Sequence, residues 1–567
     1  MTTSRTDLPV IVDRRAAAPL AAQISAQVRE AVTAGVLGSG ERLPSTRDLA
    51  DVLGVSRTVV TTAYAQLFAE GWLEGRHGSG TYVADVAPGL SPACGAASNA
   101  GKAGANGDAA LSGYAAEHIW DGAPHRAGPD NRTPGTRTRD LIELLPGVPW
   151  AAGIEPAVWR RAWRSAGTHP PSFWPDPHGL PELRAELAAY LRRSRGLGIT
   201  PANVLVTRGV AGGLALLAAA LVRPGDMVGV EEPGYPAARD VLRRAGAQVV
   251  PCRVDAHGIV PDELPGGLRL LYTTPAHQYP LGGRLPVGRR QALTSWARAT
   301  GAVVVEDDYD SEFRYDVGPL PALHSMDPDV IVYLGTASKV LAPAFGAGWL
   351  VATPELVERL AQLRAGLGER VPEPVQHAML TLLSCGDLER HVRRMRLEYG
   401  RRRAALVEAL TSPGRDTGQR RSAVRAWAGV GTVQGLGAET CVRDGVRVGA
   451  GVGLGTGVGL GTETAAPGTF RLLGDTAGMH VVLELPAGYP ADRLVDAAAE
   501  RGVALLTIDR YFAGPPTISG LILGYGAVPL TKVRRAAAEL RALLARTLPE
   551  TTAAATAEGA AAGAVAS

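Results

Sequence analysis

Lys339 ends a stretch, residues 330–339, that has the pattern of a buried strand running into a turn rich in hydroxyl groups. Only three of the 58 Lys and Arg residues are lysines, namely Lys102, Lys339 and Lys532. An arginine would supply the same charge, but only an amine whose pKa can fall attacks a carbonyl group to form a Schiff base. The lysine therefore indicates either covalent chemistry at this turn or an ordinary surface position on a loop.

A second stretch brings carboxylates and a phenol to the end of a predicted strand. Residues 302–309 read as a buried strand whose last residues include Asp307 and Tyr309. Ligands of α/β sheets bind at the carboxyl ends of strands. A carboxylate in that position could keep a pyridine nitrogen protonated, and a phenol could hydrogen-bond an oxygen on the same ring. The alternative is a magnesium site or a structural acidic cluster.

Two further segments suit a planar, phosphorylated ligand. Residues 204–213 pass from a strand through a glycine turn into an apolar helix, so the N–H groups of Val210 and Ala211 can cradle a phosphate. Tyr235 follows another predicted strand and is available to stack on a ring, although most such tyrosines are merely packed. Neither segment is specific by itself.

The N-terminal segment predicts three helices and a two-stranded wing. The first helix begins at Leu20, the second follows a capping pattern at Ser45, and the third is predicted over 57–70 with Ser56 as its cap. Residues 72–83 read as a wing around a glycine-rich turn. Residues 1–85 contain eight Arg and nine Asp or Glu, so net charge does not favour DNA binding. A small three-helix domain without DNA binding is the alternative.

Composition narrows the class of protein to which the chain can belong. The chain has 567 residues, 46% of them hydrophobic and 20% charged, with a net charge of +3 that says little about partners. The four cysteines lie far apart without metal-ligand spacing, which predicts reduced thiols. The longest apolar run, 209–222, is shorter than the ~18 residues of a membrane span. We therefore expect a soluble cytoplasmic protein with no metal site.

Shifts in composition predict the domain boundaries. Residues 8–84 are compact and patterned, whereas 85–139 are rich in Gly, Ala and Pro and are expected to form a flexible linker. Over 140–548 strand-like and helical runs alternate, which predicts an α/β domain with a mainly parallel sheet and a small C-terminal α/β subdomain. A Gly-rich insertion at 412–470 interrupts it, and 549–567 are expected to form a disordered tail.

The N-terminal motif resembles the GntR-type winged helix nearly end to end. The resemblance rests on the runs Gly40–Thr58, Glu70–Trp72 and Gly78–Val83. It implies a third helix in the major groove of double-stranded DNA. The residues that it places at the DNA are Ser45, Thr46, Arg47, Ser56, Arg57, Thr58 and Arg76.

The large domain resembles the fold-type-I, pyridoxal-phosphate-dependent aminotransferases over about residues 140–545. The runs 178–184 and 274–283 carry this resemblance together with the strands described above. The sequence of 306–315 is similar to the MocR/GabR family of regulators, which fuse a GntR-type winged helix to an aminotransferase-like domain. The implied fold class is multidomain: an α+β winged helix followed by an α/β fold-type-I domain.

The resemblance also implies roles for individual residues. Lys339 binds pyridoxal 5'-phosphate covalently, Asp307 pairs with its pyridine nitrogen, and Tyr309 contacts its 3′-oxygen. The other implied contacts are Tyr235 on the ring, Gln278 near the 3′-oxygen or substrate, Val210, Ala211, Thr336 and Ser338 on the phosphate, and Arg510 on an effector carboxylate.

The chain departs from the family pattern at two positions. Gly346 stands where the family usually has a phosphate-binding arginine, and Ala237 stands where GABA-responsive members have another arginine. The loss of one charge-assisted pair lowers cofactor affinity by roughly tenfold or more. The departure at position 237 makes GABA a poor candidate for the effector.

The sequence is compatible with three functions. The first is a homodimeric transcription regulator that senses pyridoxal phosphate or an amino compound. The second is an active aminotransferase that carries a DNA-binding domain. The third is a cofactor-free scaffold that binds DNA constitutively.

Overall fold

The computed structural model describes residues 8, 10–16, 18–76, 80–86, 141–318, 320–411, 425–426, 470–486 and 489–547. The predictions for the linker, the insertion and the tail lie outside these residues, apart from residues 85–86, 425–426 and 470. The domain boundaries themselves therefore stay predictions. No helix within the described ranges combines the length and apolarity that crossing a membrane requires.

The N-terminal unit is a winged helix. Its elements are α1 (Leu20–Thr33), α2 (Thr46–Leu53), α3 (Arg57–Glu70), β1 (Leu73–Arg76) and β2 (Gly80–Val83). The two strands pair antiparallel, with Leu73 opposite Val83. The side chain of Ser45 caps α2 by accepting the N–H of Asp48 at 3.2 Å. The expected cap from Ser56 is not made, because its hydroxyl forms no capping hydrogen bond to α3.

The large unit contains ten α-helices and fifteen strands within the described residues. The helices are α4 (Pro156–Gly167), α5 (Pro181–Arg195), α6 (Gly209–Leu221), α7 (Pro236–Arg244), α8 (Val287–Thr300), α9 (Pro354–Leu367), α10 (Glu373–Ser384), α11 (Asp387–Thr411), α12 (Ala491–Glu500) and α13 (Leu530–Thr547). The strands are β3 (Ile142–Glu143), β4 (Val204–Thr207), β5 (Met227–Glu232), β6 (Gln248–Asp255), β7 (Gly258–Ile259), β8 (Leu270–Thr273), β9 (Val303–Asp308), β10 (Ile331–Thr336), β11 (Gly348–Val351), β12 (Arg425–Ala426), β13 (Arg471–Leu473), β14 (His480–Glu484), β15 (Val503–Ala504), β16 (Leu506–Thr507) and β17 (Gly520–Gly524).

An eight-stranded sheet forms the centre of this unit, in the order β4-β11-β10-β9-β8-β5-β6-β7. Its strands are parallel except for β11, which runs antiparallel to β10 and β4, and β7, which runs antiparallel to β6. Alternate side chains face opposite helical layers. Leu205 packs with α6, α7 and α9, whereas Val206 packs with α5, α10 and α11. The predicted mainly parallel α/β fold is confirmed.

The C-terminal part forms a smaller sheet in the order β12-β13-β14-β17-β16. Strand β3, at the start of the large unit, pairs in parallel with β15 more than 350 positions further along the chain. The segment that follows β3 contacts both sheets. The carbonyl oxygen of Leu144 accepts the N–H of Gly524 on β17 at 2.9 Å, and that of Gly147 accepts from Nζ of Lys339, three residues after β10.

The winged helix contacts the large unit at the C-terminal end of α3. A Cβ atom on Gly71 would lie only 3.0 Å from Cβ of Pro286 and 3.2 Å from the backbone nitrogen of Val287. The Val287 side chain is 4% exposed and packs within the hydrophobic core of the winged helix. In addition, the N–H of Gly318 donates to Oε1 of Gln66 at 3.0 Å. The two units therefore meet through the side chain of Val287 and through the hydrogen bond between Gly318 and Gln66.

Candidate functional site

Lys339 and Asp307 lie at the same edge of the central sheet because β9 and β10 are parallel neighbours, with Asp307 opposite Leu334. Nζ of Lys339 donates to the carbonyl oxygen of Gly147 at 2.8 Å. Burial lowers the pKa of Lys339, and the charges of Asp310 and Asp307 oppose that shift. A lowered pKa increases the neutral amine, which is the form that attacks a carbonyl group.

Asp307 is buried, and only one of its two carboxylate oxygens has a partner. The phenol of Tyr272 donates to Oδ2, whereas Oδ1 has no hydrogen-bond partner among the described residues. Burial raises the pKa of Asp307 to about 7, while Tyr272 and Lys339 act to lower it and Asp308 to raise it. A buried acceptor left open in this way suits the N–H of a protonated heterocycle, which would complete its hydrogen bonding.

Aromatic side chains line the neighbouring wall. The phenol of Tyr309 lies 2.9 Å from Nδ1 of His277. The ring of Tyr279 is 5.9 Å from that of Tyr235, 5.5 Å from that of Tyr309 and 5.3 Å from that of Tyr511. The pKa of Tyr235 rises to about 12, chiefly through burial and then through the charge of Asp307, so this phenol is within electrostatic reach of the carboxylate.

The hydroxyl groups after β10 meet the N-terminus of α6. A Cβ atom on Gly209, which has φ +69°, would lie 3.7 Å from Oγ1 of Thr336 and 3.9 Å from Oγ of Ser338. Val210 and Ala211 form the first turn of the helix there. Hydroxyl groups and the N–H groups at a helix N-terminus suit an anion, so this turn is the candidate anion site.

The side chain of Arg208, near the candidate anion site, is directed elsewhere. Arg208 is 63% exposed, and its Nε lies 3.9 Å from Oε1 of Glu369. Gly346 has φ +65°, and a Cβ atom built on it would have nothing within 4 Å. Space for a longer side chain is therefore open at position 346, where the chain has none.

The structure does not offer Gln278 to a ligand. Its amide nitrogen donates to Oε2 of Glu231 at 3.2 Å and to the carbonyl oxygens of Pro233 and Tyr279, both at 2.9 Å. Its amide oxygen accepts the N–H of Leu281 at 3.0 Å. Gln278 thus holds the loop that positions the aromatic residues.

Arg510 is exposed at the rim of the aromatic wall. It lies on the turn Asp509–Tyr511. Burial raises the pKa of Tyr279 and of Tyr511, and the charge of Arg510 opposes both rises. The phenols of Tyr279 and Tyr511 lie 3.2 Å apart. His277 and Tyr279 were not among the predicted site residues, although both lie in the run 274–283 that carried the resemblance.

Most residues predicted to contact DNA lie exposed at the starts of α2 and α3 and on β1. All are exposed except Thr46, which is half-buried; the exposed residues are Ser45, Arg47, Ser56, Arg57, Thr58 and Arg76. Nε of Arg57 donates to Oγ1 of Thr46 at 3.3 Å and so links the two helix starts. The Arg76 guanidinium lies 4.6 Å above the Tyr82 ring, which orients it on the wing.

Known proteins match both units of this chain. Residues 20–83 match the gntR family of bacterial regulatory proteins, and residues 151–442 match the class I and II aminotransferases. The chain is 32% identical to the HTH-type pyridoxine biosynthesis transcriptional regulator PdxR of Corynebacterium glutamicum, over 94% of this chain and 98% of that protein. It belongs to the MocR/GabR family of transcription regulators. It is also 36% identical to the probable rhizopine catabolism regulatory protein MocR of Rhizobium meliloti, over 70% of this chain and 78% of that one.

Solved structures support the fold of this MocR-type chain. An archaeal alanine:glyoxylate aminotransferase superposes with a TM-score of 0.59 at 23% identity, over 72% of this chain and 91% of that chain. The kynurenine aminotransferase of Pyrococcus horikoshii superposes with a TM-score of 0.58 at 22% identity, over 73% and 92%.

A MocR-type protein is a DNA-binding regulator whose aminotransferase-like domain has pyridoxal 5'-phosphate as its cofactor. The residues present fit that group. The amine of Lys339, the open Oδ1 of Asp307 and the anion site at Gly209 lie around the same end of β9 and β10.

Proposed function

We propose that this regulator binds pyridoxal phosphate covalently through Lys339 and that occupancy of the site changes how the winged helices of a homodimer meet DNA. The observation that carries the proposal is the open Oδ1 of Asp307, beside an amine whose pKa is lowered. A buried acceptor without a partner is costly, which favours a ligand N–H in that place. Because its target is chromosomal DNA, we place the regulator in the cytoplasm.

Different residues contact different parts of the cofactor. Pyridoxal phosphate supplies an aldehyde and a ring that withdraws electrons. Asp307 accepts the ring N–H, Tyr309 donates to the 3′-oxygen, and Tyr235 packs on the ring. The phosphate is held by the Thr336 and Ser338 hydroxyls and by the N–H groups of Val210 and Ala211. Gln278 acts indirectly, by fixing the loop.

The effector is pyridoxal phosphate itself or an amino compound with a carboxylate. Arg510 supports the second possibility, since an exposed guanidinium at the rim of the site suits a bidentate carboxylate contact. Either ligand regulates DNA binding only if its affinity differs between two arrangements of the protein.

Absorbance spectroscopy tests the covalent site. We expect the wild type to acquire a visible band with pyridoxal phosphate, and borohydride reduction to leave the added mass on the peptide that contains Lys339. Lys339→Ala should lose both signals, whereas the matched variant Lys532→Ala should keep both. A wild type without a band at saturating cofactor would favour the cofactor-free scaffold instead.

The amine of Lys339, with its lowered pKa, and the open Oδ1 of Asp307 also meet the requirements of a second function, that of an active aminotransferase. Incubation with amino donors and keto acids distinguishes an active aminotransferase from a regulator that only senses its ligand. Many equivalents of new keto acid per protein would identify an enzyme, whereas at most one equivalent is expected of a sensor.

A further inference from the structure

A buried histidine and aspartate lie behind the phenol of Tyr309. His277 and Asp310 are 3% and 1% exposed. Nδ1 of His277 lies 3.0 Å from Oδ2 and 3.2 Å from Oδ1 of Asp310, and the same nitrogen lies 2.9 Å from the Tyr309 oxygen. One ring nitrogen therefore faces both the carboxylate and the phenol.

The surrounding backbone closes tightly on this pair. A Cβ atom on Gly478 would collide with Cε1 of His277 and lie 2.8 Å from Oδ2 of Asp310. A Cβ atom on Gly282 would lie 3.2 Å from Nε2 of the same imidazole. The imidazole is thus confined between two glycines, which leaves little freedom for a different ring orientation.

The positions of the hydrogens follow from this geometry. An ionised carboxylate only accepts hydrogen bonds, so the ring nitrogen that faces both oxygens of Asp310 must carry a hydrogen. The phenol oxygen of Tyr309 then faces a donor and must accept. Within the described part of the chain, His277 is the only hydrogen-bond partner of this phenol. The hydrogen of the phenol is therefore left over for a ligand.

We infer that His277 and Asp310 are positioning residues that fix Tyr309 as a hydrogen-bond donor toward the cofactor. The inference rests on the proposed function, because the acceptor is the 3′-oxygen of pyridoxal phosphate. Burial, and then the charge of Asp310, raises the pKa of Tyr309, so the phenol keeps a hydrogen to donate.

The neighbouring groups are consistent with this arrangement. The imidazole of His480 is 5.5 Å from that of His277 and faces the carbonyl oxygen of Pro280 through Nε2 at 2.9 Å. Burial, followed by the charge of His277, lowers the pKa of His480 to about 4, so its ring is neutral near pH 7. Asp310 is also the carboxylate with the largest effect on Lys339, ahead of Asp307, which ties the pair to the same site.

Two substitutions of His277 in the full-length protein test the inference. His277→Phe removes the donor and keeps a ring, whereas His277→Asn keeps an N–H near the place of Nδ1. We expect the Phe variant to bind pyridoxal phosphate about tenfold more weakly. It should also raise the pH midpoint of the bound cofactor's visible absorbance by about one unit, because a weaker donor stabilises negative charge on the 3′-oxygen less well. The Asn variant should have an affinity and a pH midpoint close to those of the wild type.

Asp310→Asn is a second test of the inference. The new amide can donate to the imidazole, so Nδ1 can lose its hydrogen and accept from the phenol, and Tyr309 then turns away from the ligand. We expect an upward shift of the midpoint at least as large as that of His277→Phe. Thermal unfolding of each variant separates these effects from a loss of folding.

The possible failures are distinguishable. Equal losses in the Asn and Phe variants at position 277, or weaker binding with an unchanged midpoint, would mean that the pair merely packs the loop. The absence of a visible band in the wild type would instead overturn the proposed function, and the inference with it.

Discussion

Tyr272 donates its phenol hydrogen to one oxygen of Asp307 and leaves the other oxygen open to a ligand. The two residues come from adjacent parallel strands, β8 and β9, and both are buried. The hydrogen bond acts to lower the pKa of Asp307, against the rise that burial causes. Tyr272 thus helps this carboxyl to ionise when a positively charged ring nitrogen binds.

Removal of this phenol should weaken cofactor binding. We expect Tyr272→Phe to reduce the affinity for pyridoxal phosphate by about three- to tenfold, since a hydrogen bond to a carboxylate is lost. Absorbance titration measures the change. Tyr333→Phe is the matched control, because Tyr333 donates to the adjacent Asp308 at 2.8 Å, a carboxylate paired with Arg195. Equal losses of affinity in the two variants would show that Asp307 has no special role.

The raised pKa of Asp307 predicts a pH-dependent stability of the cofactor-free protein. The carboxyl titrates near about 4 in the unfolded chain and about 7 in the folded protein, so the folded state holds a proton that the unfolded state has lost. This contribution to stability falls as the pH rises between those values. We expect Asp307→Asn to gain a few degrees in Tm over the wild type between pH 5 and pH 8. Parallel Tm curves would contradict the assignment.

A substitution at Gly209 tests whether this turn binds the phosphate of the cofactor. Gly209→Ala places a methyl group near the hydroxyls of Thr336 and Ser338, at the start of α6. We expect the affinity for pyridoxal phosphate to fall by tenfold or more, and the affinity for pyridoxal, which has no phosphate, to stay unchanged. The control is Gly196→Ala, which has a similar φ of +68° but no atom within 4 Å of the new methyl group. Both variants should lose about 1 kcal/mol of stability, because an L-residue is strained at a positive φ. A similar loss of affinity for both ligands would argue against an anion site.

Arg57 should contribute to phosphate contacts on DNA. We expect Arg57→Ala to weaken DNA binding across sequences and to reduce the slope of log affinity against log salt by about one. Fluorescence anisotropy at several salt concentrations measures this slope. Arg244→Ala removes an exposed charge from the large unit and should leave the slope unchanged. An unchanged slope for Arg57→Ala would place the third helix away from the DNA backbone.

Val287 should couple the stability of the two units. We expect Val287→Asp to lower the unfolding temperature of the winged helix and to separate it from that of the large unit, because a carboxylate enters an apolar core. Calorimetry resolves the two transitions. Leu367→Asp, at a position 61% exposed, should change neither transition. A single unshifted transition in Val287→Asp would mean that the contact contributes no stability.

Local signals in the sequence are sufficient to predict the winged helix. The predicted third helix has the bounds of α3, because Ser56 and Gly71 mark its ends even though Ser56 makes no capping bond. The buried strands before Asp307 and Lys339 were likewise visible as apolar runs. Such signals depend on neighbouring residues only.

The contacts of individual site residues depend on distant segments and were not predictable in the same way. Gln278 was expected at the ligand, but its amide is used by Glu231 and Pro233, more than 40 positions away. Lys339 contacts Gly147, which follows β3, and β3 is held in place by pairing with the distant β15. Neither contact leaves a pattern in the local sequence, because each depends on how separate strands are brought together.

The contact at Gly71 holds α3 at the end opposite to its DNA-facing residues. Helix α3 has 14 residues, so Arg57 lies about 20 Å from this contact. A tilt of the helix by about 5° around Gly71 therefore displaces Arg57 by about 2 Å. Such a displacement exceeds the tolerance of a hydrogen bond to a phosphate oxygen. Because α3 is long, a small movement of the large unit at Gly71 is therefore enough to align or misalign the DNA contacts of Arg57.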